Sequence, residues 1–394
     1  MSEQDIYDGL INWLKQGWYA MPETEEFMHL IKATFTPDEA ALLTGFPYQG
    51  NYLDDLAALK KMPKEELGQQ LDELARKGLL FRTVKEGRVR YSLNDLFFMD
   101  YRAAFWGGGT DERSREIAPR ANAYYYHGLF EPWNHTRTKV LRALPIQGTI
   151  EDPREILPYE EVVKVLDQHD YFTVSICPCR HRHNLDSKYD DSKYPMETCL
   201  HFGTLGHYIV ENGMGREITR EETEEILRKS AEAGLVHGVA NMQEKPDTIC
   251  NCDPDYCVTF AAFHVLKHDE GMAPSNYRIR TNDETCIGCG LCAKRCPMEA
   301  LKLEDRPGIK DRETLVAGND GGQKKLINKT GKVSVLNPKF CIGCGVCAYK
   351  CPSKSLVLER KEDIHDPPKD GHEYMRIVLN DFAKARSGEE LKGD

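Results

Sequence analysis

Long apolar runs are missing from this sequence: no stretch of its 394 residues approaches the roughly 20 apolar residues that a membrane-spanning helix needs. A positive charge excess is missing too. Lysine and arginine number 52 against 63 aspartates and glutamates, a formal net charge of −11, which argues against wrapping a nucleic-acid backbone as the main occupation. The first residues, Met-Ser-Glu-Gln-Asp, lack the basic and apolar regions of a secretory signal, so a cytoplasmic location is expected. Nucleotide-binding signatures are absent as well. No P-loop occurs and no G-x-G-x-x-G follows a predicted strand, so a flavin or nicotinamide, if used, belongs on a partner. Nor is there a C-x3-C-x2-C run or an adjacent cysteine pair, which excludes the three-cysteine cluster of radical enzymes that use S-adenosylmethionine and the double-cysteine motif of heterodisulfide reductases.

Cysteine is what the sequence has in excess. In a reducing compartment its fourteen cysteines read as metal ligands before they read as disulfides. Eight of them fall in an internal repeat. CIGCGLCAKRCP begins at Cys286 and CIGCGVCAYKCP at Cys341, identical at 9 of 12 positions, each with the spacing C-x2-C-x2-C-x3-C-P. Zinc competes for any C-x2-C pair, but it takes four ligands in two separated pairs, and not three in tandem. Gly288, Gly290, Gly343 and Gly345 allow the tight backbone turns that carry amides towards cluster sulfurs, and Pro297 and Pro352 end each loop.

The repeat resembles that of two-cluster bacterial-type ferredoxins, in which the fourth cysteine of each motif ligates the other cluster. The resemblance implies one 4Fe-4S cluster on Cys286, Cys289, Cys292 and Cys351, and a second on Cys341, Cys344, Cys347 and Cys296. The two first cysteines lie 55 positions apart, leaving an insertion at 305–330. Its Gly-Asn-Asp-Gly-Gly centre is expected to be an exposed loop that contacts a partner.

Six cysteines stand outside the repeat: Cys177, Cys179, Cys199, Cys250, Cys252 and Cys257. Seven of the thirteen histidines fall between His181 and His268. A third 4Fe-4S cluster on four of the six is the first reading, a structural zinc site the second, and buried or redox-active thiols the third. Six is too many for one ordinary cubane and too few for two, so some are spare or His181 and His183 take part. The pattern CPCRHRHN, METCLHFG and ICNCDPDYC is similar to a cysteine-rich region that precedes dicluster ferredoxin domains in iron-sulfur proteins of anaerobic microbes.

The expected fold is α+β and multidomain. Residues 1–105 show helices followed by two extended runs, LLFRTV and RVRYSL, around Lys85-Glu86-Gly87, which suggests a winged-helix-like module. Within it, PKEELGQQLDELARKG aligns Leu67, Leu71, Leu74 and Ala75 on one helical face. Arg82, Lys85, Arg88 and Arg90 around the wing would suit DNA. Residues 1–100 carry 11 basic and 17 acidic side chains, however, so protein docking is favoured. An aromatic helical connector follows at 106–156, read as core or interface. Residues 157–272 form a Cys/His-rich α/β unit, with LPYEEVVKVLDQHD expected as a helix, YFTVSI as a strand and a helix from Thr219 to Gly234. Residues 273–360 form the dicluster ferredoxin-like domain, and 361–394 a charged tail with one amphipathic docking helix, YMRIVLNDFAKA.

These features point to an iron-sulfur electron-transfer protein, a subunit or partner of an anaerobic oxidoreductase, exchanging electrons with a flavoprotein or another oxidoreductase subunit. Two rivals remain: an iron-sulfur redox or oxygen sensor that regulates transcription, and an oxidoreductase whose central Cys/His unit binds substrate on a metal.

Overall fold

Capping by short polar side chains starts the N-terminal helices of the chain, whose computed structural model describes residues 2–17, 21–130, 136–268, 271–317 and 322–387. Ser2 heads α1 (Glu3–Leu14) with a capping box, Thr24 accepts from Phe27 N–H at the start of α2 (Glu25–Thr34), and Thr36 repeats the capping box for α3 (Pro37–Leu43). β1 (Asn51–Tyr52), α4 (Leu53–Lys60) and α5 (Lys64–Arg76) follow. The apolar face of α5 is the expected one, with Leu67, Leu71, Leu74 and Ala75 buried. β2 (Leu80–Lys85) and β3 (Arg88–Leu93) form a hairpin whose two turn residues, Glu86 and Gly87, both have positive φ (54° and 73°). The resulting antiparallel sheet has the order β1-β3-β2.

The core begun here does not stop at residue 105. The aromatic segment, including a π-turn at Met99–Ala103 and α6 (Glu112–Tyr124), contributes Tyr101, Phe105, Tyr124 and Tyr125 to the same apolar cluster as Tyr7, Phe27 and Leu67. These large rings bury too much area to serve as a free-standing connector. Of the aromatic stretch, 131–135 lies outside the described residues.

The central unit is built on a six-stranded sheet of order β4-β8-β9-β6-β5-β7. Its strands and helices run β4 (Leu141–Ala143), α7 (Val162–Leu166), β5 (Phe172–Ile176), α8 (Pro178–Asn184), β6 (Glu197–Phe202), α9 (Gly203–Glu211), β7 (Arg216–Ile218), α10 (Arg220–Ala233), β8 (Val236–Ala240), β9 (Thr248–Cys252) and α11 (Val258–His264). Every strand pairing is antiparallel, so the unit is α+β and not the expected α/β. β4 belongs to this sheet although it lies within the span expected to be connector. The expected helix in LPYEEVVKVLDQHD shrinks to a 3-10 turn at Pro158–Glu160 and the five-residue α7, because Glu160 turns inward to accept from the Asn276 amide (3.3 Å). α10 begins at its Thr219 cap and ends at Gly234, φ 104°.

The third unit pairs its first strand with its last. β10 (Tyr277–Thr281) lies antiparallel to β15 (Leu356–Arg360), and β11 (Leu301–Asp305) to β14 (Lys332–Leu336), with the short helices α12 (Leu291–Arg295) and α13 (Val346–Tyr349) inside the two repeats. Within the 305–330 insertion β12 (Glu313–Ala317) and β13 (Gln323–Ile327) pair antiparallel on either side of the centre expected to be an exposed loop. Most of its glycine-rich centre, 318–321, lies outside the described residues. The tail helix α14 (Gly371–Ser387) docks on its own chain: Tyr374, Val378 and Phe382 join the N-terminal core, and buried Asp381 accepts from Arg137 N and Nε, both at 2.9 Å. Among the described residues no helix is long and apolar enough to cross a membrane.

Candidate metal centres

Two cavities open in the third unit, one in each repeat. The first is lined by Cys296, Cys341, Cys344 and Cys347, and the second by Cys286, Cys289, Cys292 and Cys351. Each therefore takes three cysteines from one repeat and the last cysteine of the other. The turns behind them need glycine. Gly288 and Gly343 have φ of 60° and 64°; a Cβ on Gly288 would run into Thr330 Oγ1 and Lys332 O, and one on Gly343 into Ser275 Oγ and Tyr277 O.

Polar groups reach the sulfurs. Ala300 N–H donates to Cys296 Sγ (3.2 Å), and Cys292 Sγ lies 3.2 Å from Ser334 Oγ. Burial pushes the thiols of Cys292, Cys296, Cys344 and Cys347 up, so as free thiols they stay protonated until a metal displaces the proton. Cys289 is the exposed member of the eight. Cys292, Cys347, Cys296, Cys341 and Cys351 all touch one apolar cluster with Tyr277 and Leu358, so cysteines of both cavities pack on a common core.

Sequence reasoning missed the clamp on the second cavity. Buried Asn328, from the insertion, donates Nδ2–H to Cys286 O (2.8 Å) and Lys332 O (2.9 Å) and accepts from Gly331 N–H (2.9 Å), while Thr330 Oγ1 donates to Gly288 O (3.2 Å). The run Asn328-Lys329-Thr330-Gly331 carries an Asx-turn signature that could have flagged it.

The central sheet gathers the remaining six cysteines. β6 and β9 pair Leu200 with Ile249, and continuing that register brings Cys199 opposite Cys250. Alternation along β9 puts Cys252 on the same face as Cys250. A Cβ on Gly238, across from Cys250, would stand 3.3 Å from Cys252 Sγ, so glycine leaves the thiol its room. Cys177 and Cys179 arrive from the end of β5 and the start of α8, and Cys257 precedes α11. The thiols act on one another in sequence: Cys177 on Cys179, Cys179 on Cys257, Cys257 on Cys252, Cys252 on Cys250 and Cys250 on Cys199.

Their electrostatics are divided. Bonds from Cys199 and Cys252 hold the Cys250 thiol well below its ordinary range, and bonds from Cys179 and Cys252 do the same for Cys257. Their donors shift the other way. Cys199 and Cys252 are driven up by their bonds to Cys250 and by burial, and Cys177 by its bond with Cys179 and by burial. Cys179 is pushed up to about 11, its bond with Cys177 lowering it and its bond with Cys257 and burial raising it.

The histidines are engaged elsewhere. One ring nitrogen of His181 lies 2.8 Å from Gly109 O, and His183 Nδ1 lies 2.7 Å from Cys179 O while its ring stacks on Tyr256. Among the described residues no three His, Cys, Asp or Glu side chains close around a single-ion point. The ferredoxin-type cysteines do not either, as expected of ligands splayed around a many-atom core.

Two cysteine-lined cavities with crossed membership, amide donors on sulfur and obligatory glycines define an iron-sulfur electron-transfer protein. Residues 278–352 match the family model for the 4Fe-4S dicluster domain. Ferredoxin-3 of Rhodobacter capsulatus is 33% identical over 79 residues, 20% of this chain and 76% of that protein. Ferredoxin-3 of a Nostoc species is 34% identical over 73 residues, 18% of this chain and 64% of its own. Pyruvate-flavodoxin oxidoreductase of Rhodospirillum rubrum is 29% identical over 110 residues, 26% of this chain and 9% of that protein. Through this C-terminal unit the chain belongs to the 4Fe-4S dicluster ferredoxin family. No solved structure matches the chain.

Proposed function

We propose that Cys286, Cys289, Cys292 and Cys351 hold one 4Fe-4S cluster and Cys341, Cys344, Cys347 and Cys296 the other, and that the chain serves as a subunit or dedicated partner of a cytoplasmic, anaerobic oxidoreductase. The observation that carries this reading is the crossed membership of the two cavities. Bound clusters supply one-electron transfer, at a potential that hydrogen bonds to the sulfurs and solvent exposure set within a range of roughly −700 to +450 mV. The chain's own residues bind, orient and shield. Asn328 and Thr330 brace the loop around Cys286 to Gly288, Ala300 N–H and Ser334 meet cysteine sulfurs, and apolar residues from Tyr277 to Leu358 exclude water between the cavities.

Exposed Cys289 makes its cavity the one a redox partner reaches. The flavodoxin named in the Rhodospirillum relative supports a flavoprotein or an oxidoreductase subunit in that role. The central six cysteines read as a third centre, a 4Fe-4S cluster or, as the alternative, zinc. The N-terminal helices and sheet read as a winged-helix-like docking module. Its wing cations favour docking over DNA: Arg82 pairs with Asp72 (3.0 Å) and with Glu211 of α9 (2.9 Å), Arg88 lies over the Tyr52 ring (3.8 Å), and Arg90 Nε bonds Gly50 O (3.0 Å). A duplex-binding protein would offer such groups to phosphates.

Replacing Cys289 with Ala tests the assignment. It is expected to remove about four irons per chain and most electron transfer to an artificial acceptor. Full iron content with full transfer would reject it.

A further inference from the structure

The six central cysteines sit beside buried arginines of α8. Arg180 and Arg182 are 0% and 1% exposed. Arg180 donates to Asn251 O (3.0 Å), Pro195 O (2.7 Å) and Thr198 Oγ1, and Arg182 Nε donates to Asn122 Oδ1 (2.7 Å) while its guanidinium lies over the Tyr101 ring (4.8 Å). All these partners are neutral, and among the described residues neither arginine forms a salt bridge. Arg180 Nε and Arg182 Nη1 have no hydrogen-bond partner at all. A third guanidinium, that of Arg102, lies over Trp106 (4.9 Å) and bonds Thr248 Oγ1 (3.1 Å).

These cations face the thiols. Arg180 acts on Cys177 and Cys250, Arg182 on Cys179, and Arg102 on Cys199 and Cys250. Acids stand near without pairing directly: Asp253 feels Arg180 but accepts from Ser192 Oγ (2.8 Å) and Asp255 N–H (2.9 Å), buried Asp186 meets Arg182 only through Asn122, whose Nδ2 donates to Asp186 Oδ2 (2.9 Å), and Asp95 feels Arg102. A buried, unpaired guanidinium is costly and persists where an anion meets it. Cys177, Cys179 and Cys250 keep part of their surface open, and Cys199, Cys252 and Cys257 are buried.

These cysteines abut the ferredoxin-type unit. Cys252, Cys257 and Cys250 share one apolar cluster with Cys344, Cys296 and Ile342, residues of the first cavity's wall, and Ile146 N–H donates to Cys344 O (3.1 Å). A redox-active metal held by these cysteines would exchange electrons over this shared cluster of side chains, and zinc would not.

We propose that the six central cysteines bind an anionic, iron-containing thiolate centre whose charge is neutralised by Arg102, Arg180 and Arg182. This deepens the third-centre reading above and chooses iron over zinc. The arginines are positioning residues: they hold the anionic centre and raise its potential without ligating it.

The full chain, purified without oxygen, provides the test through iron, zinc and sulfide content and a potentiometric EPR or Mössbauer titration. Wild-type protein is expected to hold iron beyond the about eight atoms of two cubanes. The double substitution Cys250→Ser/Cys257→Ser should lose that excess and leave the ferredoxin-type signals unchanged. Should that variant fail to fold, Arg182→Gln serves instead. It should shift the extra centre to lower potential, or empty it, with the other signals unmoved. Zinc on these cysteines, or eight irons with six free thiols, would overturn the proposal and leave the dicluster assignment standing. Fewer than eight irons in the wild type would count against the dicluster assignment itself.

Discussion

Asn328 shows how much a single residue outside any motif contributes. Its amide bonds both Cys286 O and Lys332 O, and its Oδ1 takes up Gly331 N–H, so it stitches the first cysteine loop to the insertion. Replacing it with Ala leaves these buried groups unpaired, at about 2 kcal/mol or more. The expected outcome is an Asn328→Ala protein that folds but loses the cluster beside exposed Cys289 first on exposure to oxygen, read as faster bleaching of one of two EPR signals. Equal bleaching of both would show that the clamp does not matter. The cysteines and glycines of the site were legible because tandem spacing writes their geometry locally. Asn328, 42 positions from its Cys286 partner, was not, and neither were Arg180 and Arg182, whose importance comes from lacking directly paired carboxylates in three dimensions.

Elements were legible where local chemistry decides them. α5 follows its leucine spacing, α10 its Thr219 cap and Gly234 stop, and the β2–β3 hairpin its Glu86-Gly87 turn. Long-range packing overrode the rest. In the insertion ETLVA and QKKLI pair antiparallel, a β signal that the glycine-rich centre between them obscured. The tail helix, expected to seek a partner, buries Tyr374, Val378 and Phe382 against the N-terminal core of its own chain. Asp381 fastens it through Arg137. The substitution Asp381→Ala should cost about 2 kcal/mol locally and raise amide hydrogen exchange across 371–387 while iron content stays constant. Unchanged exchange there would mean that the apolar face alone holds α14.

At the scale of the molecule the three units are fastened together, not strung apart. Tyr208 of α9 donates to Leu80 O (3.0 Å) and packs on Phe81 of β2, and Arg82 reaches Glu211, so the N-terminal module grips the central sheet. The central thiols in turn share a core with the first ferredoxin-type cavity, and cysteines of that cavity and of the second pack on one apolar cluster. Cysteine sites thus extend from exposed Cys289 into the interior. None of this adjacency is written in the sequence, where the central and C-terminal cysteines are separated by tens of residues; it arises from the sheet order and from the 146–151 segment running beside β15.

The measurement closest to the central claim is quantitative EPR of the fully reduced, anaerobically purified chain with iron counted on the same sample. Crossed ligation in two neighbouring cavities predicts at least about two spins from 4Fe-4S clusters per chain, broadened by their mutual coupling, over at least about eight irons. A single uncoupled spin, or about four irons, would contradict it.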